Sequence, residues 1–272
     1  MGKPFISIII PALNEEKFLP QLLESLTKQS DKNFEVIIVD GRSKDKTVEA
    51  AKTFAKILPK LTITVADHAN LPYQRNLGAK KAKGTWFMFL DADNIVMPYA
   101  VERMNAFIVE QKPSFFTSWI RPDSNLINDA LLALFGNLLL EGSILVKRPF
   151  SPGPFTAVSR EVFERVGGYT EGLKWGEDVD FSNKVQKAGY TFSIVREVLY
   201  IWSMRRLRHE GKMKFIQQAA KAAFHVLLTN KALTSGYEMG GHLYGKKKRK
   251  VNKTVAQKLL KDIKQLMKEV FE

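Results

Sequence analysis

The chain has 272 residues, of which 45% are hydrophobic and 26% are charged. These fractions are close to those of an average soluble globular protein, and they exclude a disordered or collagen-like chain. The length predicts one large domain or two small ones. The chain has no cysteine, which excludes disulfides and thiolate metal sites and favours a reducing, cytoplasmic location. No run of about 18 consecutive apolar residues occurs, which argues against a conventional membrane span.

Positive charge is concentrated in the last quarter of the chain. Residues 200–272 contain 17 lysines and arginines against 5 acidic residues, whereas residues 1–199 contain 25 against 23. Such a segment predicts an anionic partner: a nucleic acid, a lipid surface or phosphate groups. Five consecutive basic residues, Lys246–Lys250, precede an amphipathic lysine-rich pattern. We therefore predict that 246–272 binds an anionic membrane surface at the inner face of the cell membrane, with a helix packed back on the domain as the alternative. We also predict that Asn125–Leu145 lies in the interface beside it and receives a lipid-linked acceptor.

Strand-like runs alternate with helical spacing in the first third of the chain. Four β-branched or aromatic runs predict strands, namely Phe5–Ile10, Phe34–Val39, Leu61–Ala66 and Trp86–Leu90. Helical spacing follows the first three strands in 18–26, 43–58 and 72–82, with Ser43 and Asp45 as candidate caps. The alternation predicts an α/β fold with a mainly parallel sheet. Ligands bind such sheets at the carboxyl ends of the strands, so the polar residues that follow these strands are candidates for the site.

The pattern is less regular after about residue 110. Further strands are predicted over Phe115–Ile120, Phe155–Ser159 and Tyr190–Val195. Further helices are predicted over Asn125–Glu141, Glu177–Ala188, Lys212–Leu228 and from Val255 to Val270. The longest uncharged apolar stretch, Ala130–Leu140, has only 11 residues and lies in the first of these helices.

The strongest local motif is Asp91-Ala92-Asp93, which directly follows the hydrophobic strand that ends at Leu90. Carboxylate oxygens are suitable ligands for Mg²⁺ or Mn²⁺, and such an ion in turn binds a diphosphate. A strand end followed by a helix cap is the alternative, because two aspartates at this spacing are common.

Four other motifs accompany this one in order along the chain: Ile8–Glu16, Val39–Thr47, Gln74–Gly78 and Trp175–Asp180. With them, the sequence from about residue 5 to 210 resembles a family-2 glycosyltransferase of the GT-A fold. The resemblance implies a Rossmann-like, mixed, mainly parallel sheet flanked by helices. It implies a GT-A domain over 1–210, with a nucleotide-sugar half over about 1–110 and an acceptor half over 111–210, and a basic helical extension over 211–272.

The resemblance also assigns roles to residues. It implies that the nucleotide-sugar donor is bound by Pro11, Asn14, Glu15, Asp40, Arg75, Asp91, Arg205 and Arg206. It implies a divalent metal, Mg²⁺ or Mn²⁺, held by Asp93 and Asp91. In the acceptor motif it selects Asp178 as the catalytic base, with Trp175, Glu177 and Asp180 as acceptor-binding residues. Glu177 and Asp178 are adjacent, so only one of them can point at the acceptor from a helix face.

Two departures from the family pattern refine the prediction. A single acidic residue, Asp40, follows the second strand, before Gly41 and Arg42, where the family usually has two acidic residues and a glycine. The Q-x-x-R-W pattern of polymerising members is absent, and Ser203–Arg208 lies where it would be. The second departure predicts transfer of one sugar rather than polymerisation. The resemblance implies an inverting enzyme with a UDP-sugar donor, since Asp40 and Arg75 resemble the uridine-binding residues of the family, and we expect a hydroxyl acceptor that is lipid-linked or part of a glycan.

Two other functions stay open at this point. A nucleotidyltransferase of related fold would have a glycine-rich first loop that ends in arginine and lysine, and Pro11–Glu16 lacks it. A basic nucleic-acid-binding protein would interleave aromatic and basic residues, because bases stack on aromatic rings. Residues 246–270 contain no aromatic residue, so we do not expect a nucleic-acid partner.

Overall fold

The computed structural model describes residues 5–173 and 176–210. The strands are β1 Ile6–Ala12, β2 Phe34–Asp40, β3 Leu61–Val65, β4 Trp86–Leu90, β5 Ile95–Val96, β6 Phe115–Pro122, β7 Phe155–Ser159 and β8 Phe192–Trp202. The helices are α1 Leu19–Thr27, α2 Thr47–Lys52, α3 Leu71–Lys81, α4 Ala100–Gln111, α5 Ile127–Leu145, α6 Arg160–Arg165, α7 Glu177–Lys187 and α8 Arg205–Glu210.

The strands form one mixed sheet in the order β3-β2-β1-β4-β7-β6-β8-β5. The first four strands in this order are parallel to one another, whereas β7 runs antiparallel to both of its neighbours. Every residue of β1, β2 and β4 is buried, as expected for parallel strands that helices cover on both faces. The carboxyl ends of β1, β2 and β4 therefore meet at one edge, where the predicted donor residues lie.

The core consists of two layers on opposite faces of the sheet. Alternate residues of β1 contribute to them, because successive side chains of a strand point to opposite faces. Ile8 packs in the layer that contains α1 and α4, and Ile9 packs in the layer that contains α6 and α7. Gly78 lets α3 approach the second face closely, since a Cβ there would lie 2.4 Å from a methyl group of Ile9. This close approach brings the polar residues of α3 to the edge of the sheet.

The structure corrects several predicted boundaries. The last strand is Phe192–Trp202 rather than Tyr190–Val195, because Arg196 and Glu197 form ion pairs with neighbouring elements and the strand continues past them. The helix predicted over 43–58 is confined to Thr47–Lys52, and its N-cap is Lys46 rather than Ser43 or Asp45.

The remaining differences concern the second half of the fold and the end of the chain. The helix predicted over Asn125–Glu141 is shifted to Ile127–Leu145, and α4, α6, α8 and β5 were not predicted. The helices predicted within 211–272 lie outside the described residues. The division into a domain and an extension stays a prediction.

Candidate active site

The loops after β1 and β2 are tied together by Ser43. Its backbone N–H and its hydroxyl both donate to the Asp40 carboxylate, at 2.9 and 2.5 Å. Its Oγ in turn accepts from the backbone N–H of Asn14 at 2.8 Å. Asn14 has a φ of 56°, a left-handed conformation that asparagine tolerates better than most residues. Two predicted donor residues, Asp40 and Asn14, are thereby brought together, beside the buried Pro11 at the end of β1.

The Asp91-Ala92-Asp93 motif forms a turn at the carboxyl end of β4. The backbone N–H of Asn94 donates to the Asp91 carbonyl at 3.2 Å, and the Asn94 side chain donates to the Pro154 carbonyl at 2.6 Å. Ala92 is buried between the two aspartates. The alternative of a simple helix cap does not apply, because the turn leads into β5 and not into a helix.

Arg205 from α8 joins the first loop to this turn. Its guanidinium donates to both carboxylate oxygens of Glu15, at 2.8 and 2.5 Å, and its Nε lies 2.8 Å from Asp93 Oδ2. The guanidinium carbon also lies 4.4 Å from the centre of the Phe18 ring. Burial raises the pKa of Asp93 to about 6 and raises the pKa of Glu15, with Arg205 opposing both shifts. Arg205 therefore compensates two partly desolvated carboxylates.

Arg75 from α3 is completely buried beneath the site and is not a surface helix residue. It donates to Glu177 Oε1 at 3.0 Å, to Asp91 Oδ1 at 3.3 Å and to the Gly153 carbonyl at 3.0 Å. The Tyr169 ring lies 5.0 Å from its guanidinium carbon. Arg75 thus connects the predicted donor and acceptor residues, while its contact with a nucleotide stays a prediction.

Asp178 and Glu177 lie in the first turn of α7 and face different partners. Asp178 accepts from the backbone N–H groups of Gly153 at 3.2 Å and of Val179 at 2.8 Å. Burial raises the pKa of Asp178. Burial, and then the neighbouring Asp178, raise the pKa of Glu177 to about 7, against the effect of Arg75. Glu177 is therefore engaged inside the protein, whereas Asp178 is half-buried, and the assignment of Asp178 as the base stays a prediction.

Three other predicted residues are less tightly connected to this arrangement. Asp180 accepts from the Thr170 hydroxyl at 2.6 Å, so it serves a neighbouring loop. Arg206 is half-buried next to Arg205. Trp175 lies outside the described residues. Their assignments to acceptor or donor stay predictions.

Gly153 is a site residue that sequence reasoning missed. Its carbonyl accepts from Arg75 and its N–H donates to Asp178, and a Cβ there would lie 3.3 Å from the Arg75 guanidinium. The sequence signal was present, because Ser151-Pro152-Gly153-Pro154 has the composition of a fixed turn. Tyr169, whose ring lies against Arg75, had no comparable signal.

The chemistry of these residues fits a divalent cation bound together with a phosphate ligand. Within 5–173 and 176–210, no group of three or more histidine, cysteine, aspartate or glutamate side chains is arranged to hold a metal by itself. Mg²⁺ is usually held by one or two carboxylates and completed by substrate phosphates. Asp91 and Asp93 supply two such carboxylates, and the cation Arg205 already lies against Asp93. The residues are therefore suited to a site that a diphosphate completes.

Comparison with known proteins identifies the family. The glycosyl transferase family 2 model matches residues 7–167, more than half of the chain, and the chain therefore belongs to that family. The resemblance inferred from the motifs is confirmed. A protein from Haemophilus influenzae named an uncharacterized glycosyltransferase is 32% identical over 200 residues, which are 71% of this chain and 66% of that protein. The chain thus spans just under two thirds of that relative.

Solved structures confirm the predicted GT-A fold. A mannosyltransferase from Pyrobaculum calidifontis, in complex with GDP-Man and Mn²⁺, superimposes with a TM-score of 0.63 at 20% identity over 86% of this chain and 67% of that one. S. aureus TarS 1–349, in complex with UDP-GlcNAc, gives a TM-score of 0.59 at 21% identity over 73% of this chain and 58% of that one. The mixed, mainly parallel sheet flanked by helices is the architecture of these glycosyltransferases.

Proposed function

We propose that the protein transfers a single sugar from a UDP-sugar to a hydroxyl acceptor, with inversion at the anomeric carbon and with a divalent metal. The observation that carries this proposal is the connection through Arg75 between Asp91, beside the predicted metal ligand, and Glu177, beside the predicted base. A nucleotide-sugar donor needs a cationic environment for its diphosphate next to a base for the acceptor. In the proposed arrangement, the predicted metal ligands and the predicted base lie on either side of the buried Arg75 guanidinium.

The donor would lie over the carboxyl ends of β1, β2 and β4. Asp40 is held by Ser43 at the end of β2, where a carboxylate would bind the uracil or the ribose. Pro11, Asn14 and Glu15 would line the same site from the first loop. The structural neighbours bound to UDP-GlcNAc and GDP-Man support a nucleotide-sugar donor. We infer UDP, because the placement of Asp40 and Arg75 resembles uridine-binding members of the family.

Asp93 would be the principal metal ligand and Asp91 the second. A divalent ion bound there would neutralise the charge that grows on the departing diphosphate. The neighbour that contains Mn²⁺ supports this assignment. Arg205 now contacts Asp93 and Glu15, and it would turn towards the diphosphate when a cation replaces it beside Asp93. Arg206 would add positive charge on the same side.

Asp178 would accept the proton of the acceptor hydroxyl as that oxygen attacks the anomeric carbon. A general base works best when its pKa is near the working pH, and burial raises the pKa of Asp178 towards that range. The N–H groups of Gly153 and Val179 hold the carboxylate in one orientation. Asp180 and Trp175 would contact the acceptor nearby, and Glu177 would orient the site through Arg75.

We further propose that the protein works in the cytoplasm, at the inner face of the membrane. Residues 246–272 would bind anionic lipids, because each lysine or arginine near such a surface contributes about 1 kcal/mol. The acceptor would be a lipid-linked hydroxyl or a glycan.

Thermal unfolding with UDP-, GDP- and dTDP-sugars, with and without Mn²⁺, tests the donor and the metal. A ligand that binds only the folded state raises the melting temperature, so a UDP-sugar with Mn²⁺ should give the largest increase. The increase should disappear in EDTA and in Asp93→Ala, but not in the surface variant Glu24→Ala. Undiminished UDP binding in Asp93→Ala would remove the metal role. Stabilisation by nucleoside triphosphates alone would favour a nucleotidyltransferase.

A further inference from the structure

Helix α5 carries a continuous apolar surface that the described protein leaves uncovered. The surface, called the apolar stripe below, consists of Leu126, Ile127, Leu131, Leu134, Phe135, Leu138, Leu139, Leu145 and Val146, which are each between 47% and 84% exposed. It extends along the whole helix, about 28 Å at 1.5 Å per residue. A soluble protein rarely exposes so large an apolar patch without a partner.

The charged side chains of α5 are buried or paired with neighbouring elements, and the one polar side chain that is exposed on the helix, Asn128, is uncharged. The two acidic residues of α5 are Asp129, which is buried and accepts from the Ser124 hydroxyl at 2.6 Å, and Glu141, which accepts from Arg196 at 2.9 and 3.0 Å. Asn137 bonds to both the N–H and the carbonyl of Ile120 in β6. The inner face of α5 is thereby fixed to the sheet, and the stripe faces outwards without an ionised group.

We propose that the apolar stripe lies in the surface of an anionic lipid bilayer, parallel to the membrane. By length and composition α5 could also cross a membrane, as the single candidate among the described residues. Its attachment to β6 through Asn137 argues against a span, because one face of the helix is occupied by the sheet. A helix with an apolar face and cationic surroundings is typical of the membrane interface.

Charge favours an anionic bilayer over a protein partner from the same chain. Exposed cations stand near both ends of the stripe, Arg121 before it and Lys147 after it. Two copies that paired through the stripe would bring like charges together in either orientation, which opposes such an interface. Residues 211–272 of the same chain contain 14 basic and 4 acidic residues. Their positive charge opposes binding to the stripe, because the cations at both ends of the stripe repel them. Anionic headgroups complement both ends.

The position of the stripe connects it to the proposed acceptor site. Seven residues separate Leu145 from Gly153, whose N–H donates to Asp178. The segment between them is bonded to α7, since Gln186 donates to the Pro149 carbonyl at 2.6 Å. Docking of α5 would therefore bring the segment that ends at Gly153, and with it Asp178, towards the bilayer. This step rests on the proposed function, and it favours a lipid-linked acceptor.

Labelling at single cysteines tests the docking directly, because the full chain contains no native cysteine. The environment-sensitive dye NBD is attached at Leu138→Cys in the stripe, or at Val109→Cys on α4 as a matched control; the native residues are 59% and 58% exposed. Vesicles of phosphatidylcholine, alone or mixed equally with phosphatidylglycerol, are added. We expect a severalfold, blue-shifted fluorescence increase at position 138 with the anionic vesicles, and no change at 109.

Flotation of Leu134→Glu/Leu138→Glu and of Val109→Glu supplies the second measurement. At about 0.5 M NaCl, where charges are screened beyond a few ångström, the stripe variant should lose vesicle binding that Val109→Glu retains. The proposal is overturned if the dye at position 138 is already shielded from water without lipid. The oligomeric state, measured by sedimentation, then shows whether a second copy or the chain itself covers the stripe. Equal flotation of both variants also overturns it. Donor binding, measured by thermal shift, is independent of either result.

Discussion

Replacement of Arg75 by methionine should strongly lower the free energy of unfolding. This prediction concerns the stability of the fold and can be tested without measuring sugar transfer. The Arg75 guanidinium is fully buried and bonds to Glu177, whose side chain is 5% exposed. Removal of one partner of a buried ion pair costs about 3–5 kcal/mol, because the other group is left as an uncompensated charge or must take up a proton. For a domain of about 200 residues, each kcal/mol lowers the melting temperature by about 2–4 °C, so a decrease of roughly 6–20 °C is expected.

A double-mutant cycle separates this effect from simple loss of packing. The double variant Arg75→Met/Glu177→Gln should be more stable than Arg75→Met, because no uncompensated carboxylate remains at position 177. The matched control is Arg103→Met, which removes an arginine from an exposed ion pair with Glu197, where the side chains are 48% and 42% exposed. An exposed pair contributes about 0–1 kcal/mol, so the control should unfold almost like the native protein.

Urea unfolding without donor or metal, followed by circular dichroism, measures the free energies of unfolding of the native protein, Arg75→Met, Glu177→Gln, the double variant and the control Arg103→Met. If Arg75→Met is no less stable than Arg103→Met, the buried pair does not hold the site together. If the double variant is as unstable as Arg75→Met, the loss comes from the contacts of Arg75 with Asp91 and Gly153 or from packing. Either result would contradict the role given to the Arg75–Glu177 pair.

Three further predictions concern catalysis, the donor site and pH. Asp178→Asn should keep donor binding and lose about 10²–10⁴-fold in transfer rate, whereas near-normal turnover beside an inactive Glu177→Gln or Asp180→Asn would refute the base assignment. Arg205→Ala should strengthen binding of Mn²⁺ alone and weaken binding of UDP in calorimetry, because two carboxylates lose their cation; Arg208→Ala, whose arginine pairs with Asp123, should change neither. The raised pKa of Glu177, about 7, means that the folded state holds its proton more tightly. Its contribution to stability is therefore complete below about pH 4.5 and is lost as the pH rises through 7. Urea unfolding should show this decline in the native protein and a smaller decline in Glu177→Gln, where the raised pKa values of Asp93, Glu15 and Asp178 remain.

The central strands and the donor loops could be predicted from the sequence because their signals are local. β1, β2 and β4 are buried on both faces, so each is an unbroken apolar run, and the polar motif begins where the run ends. The helix α4 was missed although it has buried residues at helical spacing, such as Val101, Met104 and Ile108. The helical spacing of apolar residues is therefore present in the sequence of α4, although no motif adjoins it.

The apolar run in α5 shows a limit of periodicity. Eleven uncharged residues, Ala130–Leu140, read equally well as a core helix or as a surface helix with an apolar partner, because periodicity states which residues share a face and not what covers that face. The structure settles the orientation through Asn137 and Glu141, which attach the helix to Ile120, Trp119 and Arg196. Both residues are polar interruptions in an apolar helix, and such interruptions mark the inner face here.

The burial of Arg75 and its bond to Glu177 could not be predicted from the sequence, because its partners are distant along the chain. Glu177 is 102 residues away and Gly153 is 78 residues away. An arginine in a short helix between Gln74 and Asn76 has the local appearance of a surface residue. Its burial follows from Gly78, which brings α3 against Ile9, and from Gln74, which donates to the carbonyls of Ala12 and Val39.

The same arrangement makes donor and acceptor sites depend on each other. A cation that neutralises Asp91 would weaken the hold of Asp91 on Arg75, and the guanidinium would then interact more strongly with Glu177. A stronger Arg75–Glu177 pair favours the ionised form of Glu177, which in turn raises the pKa of the neighbouring Asp178 and makes it a stronger base. Donor binding would thus prepare the base without movement of the chain. Such a coupling would give the buried Arg75 a role that an apolar residue of similar volume does not have.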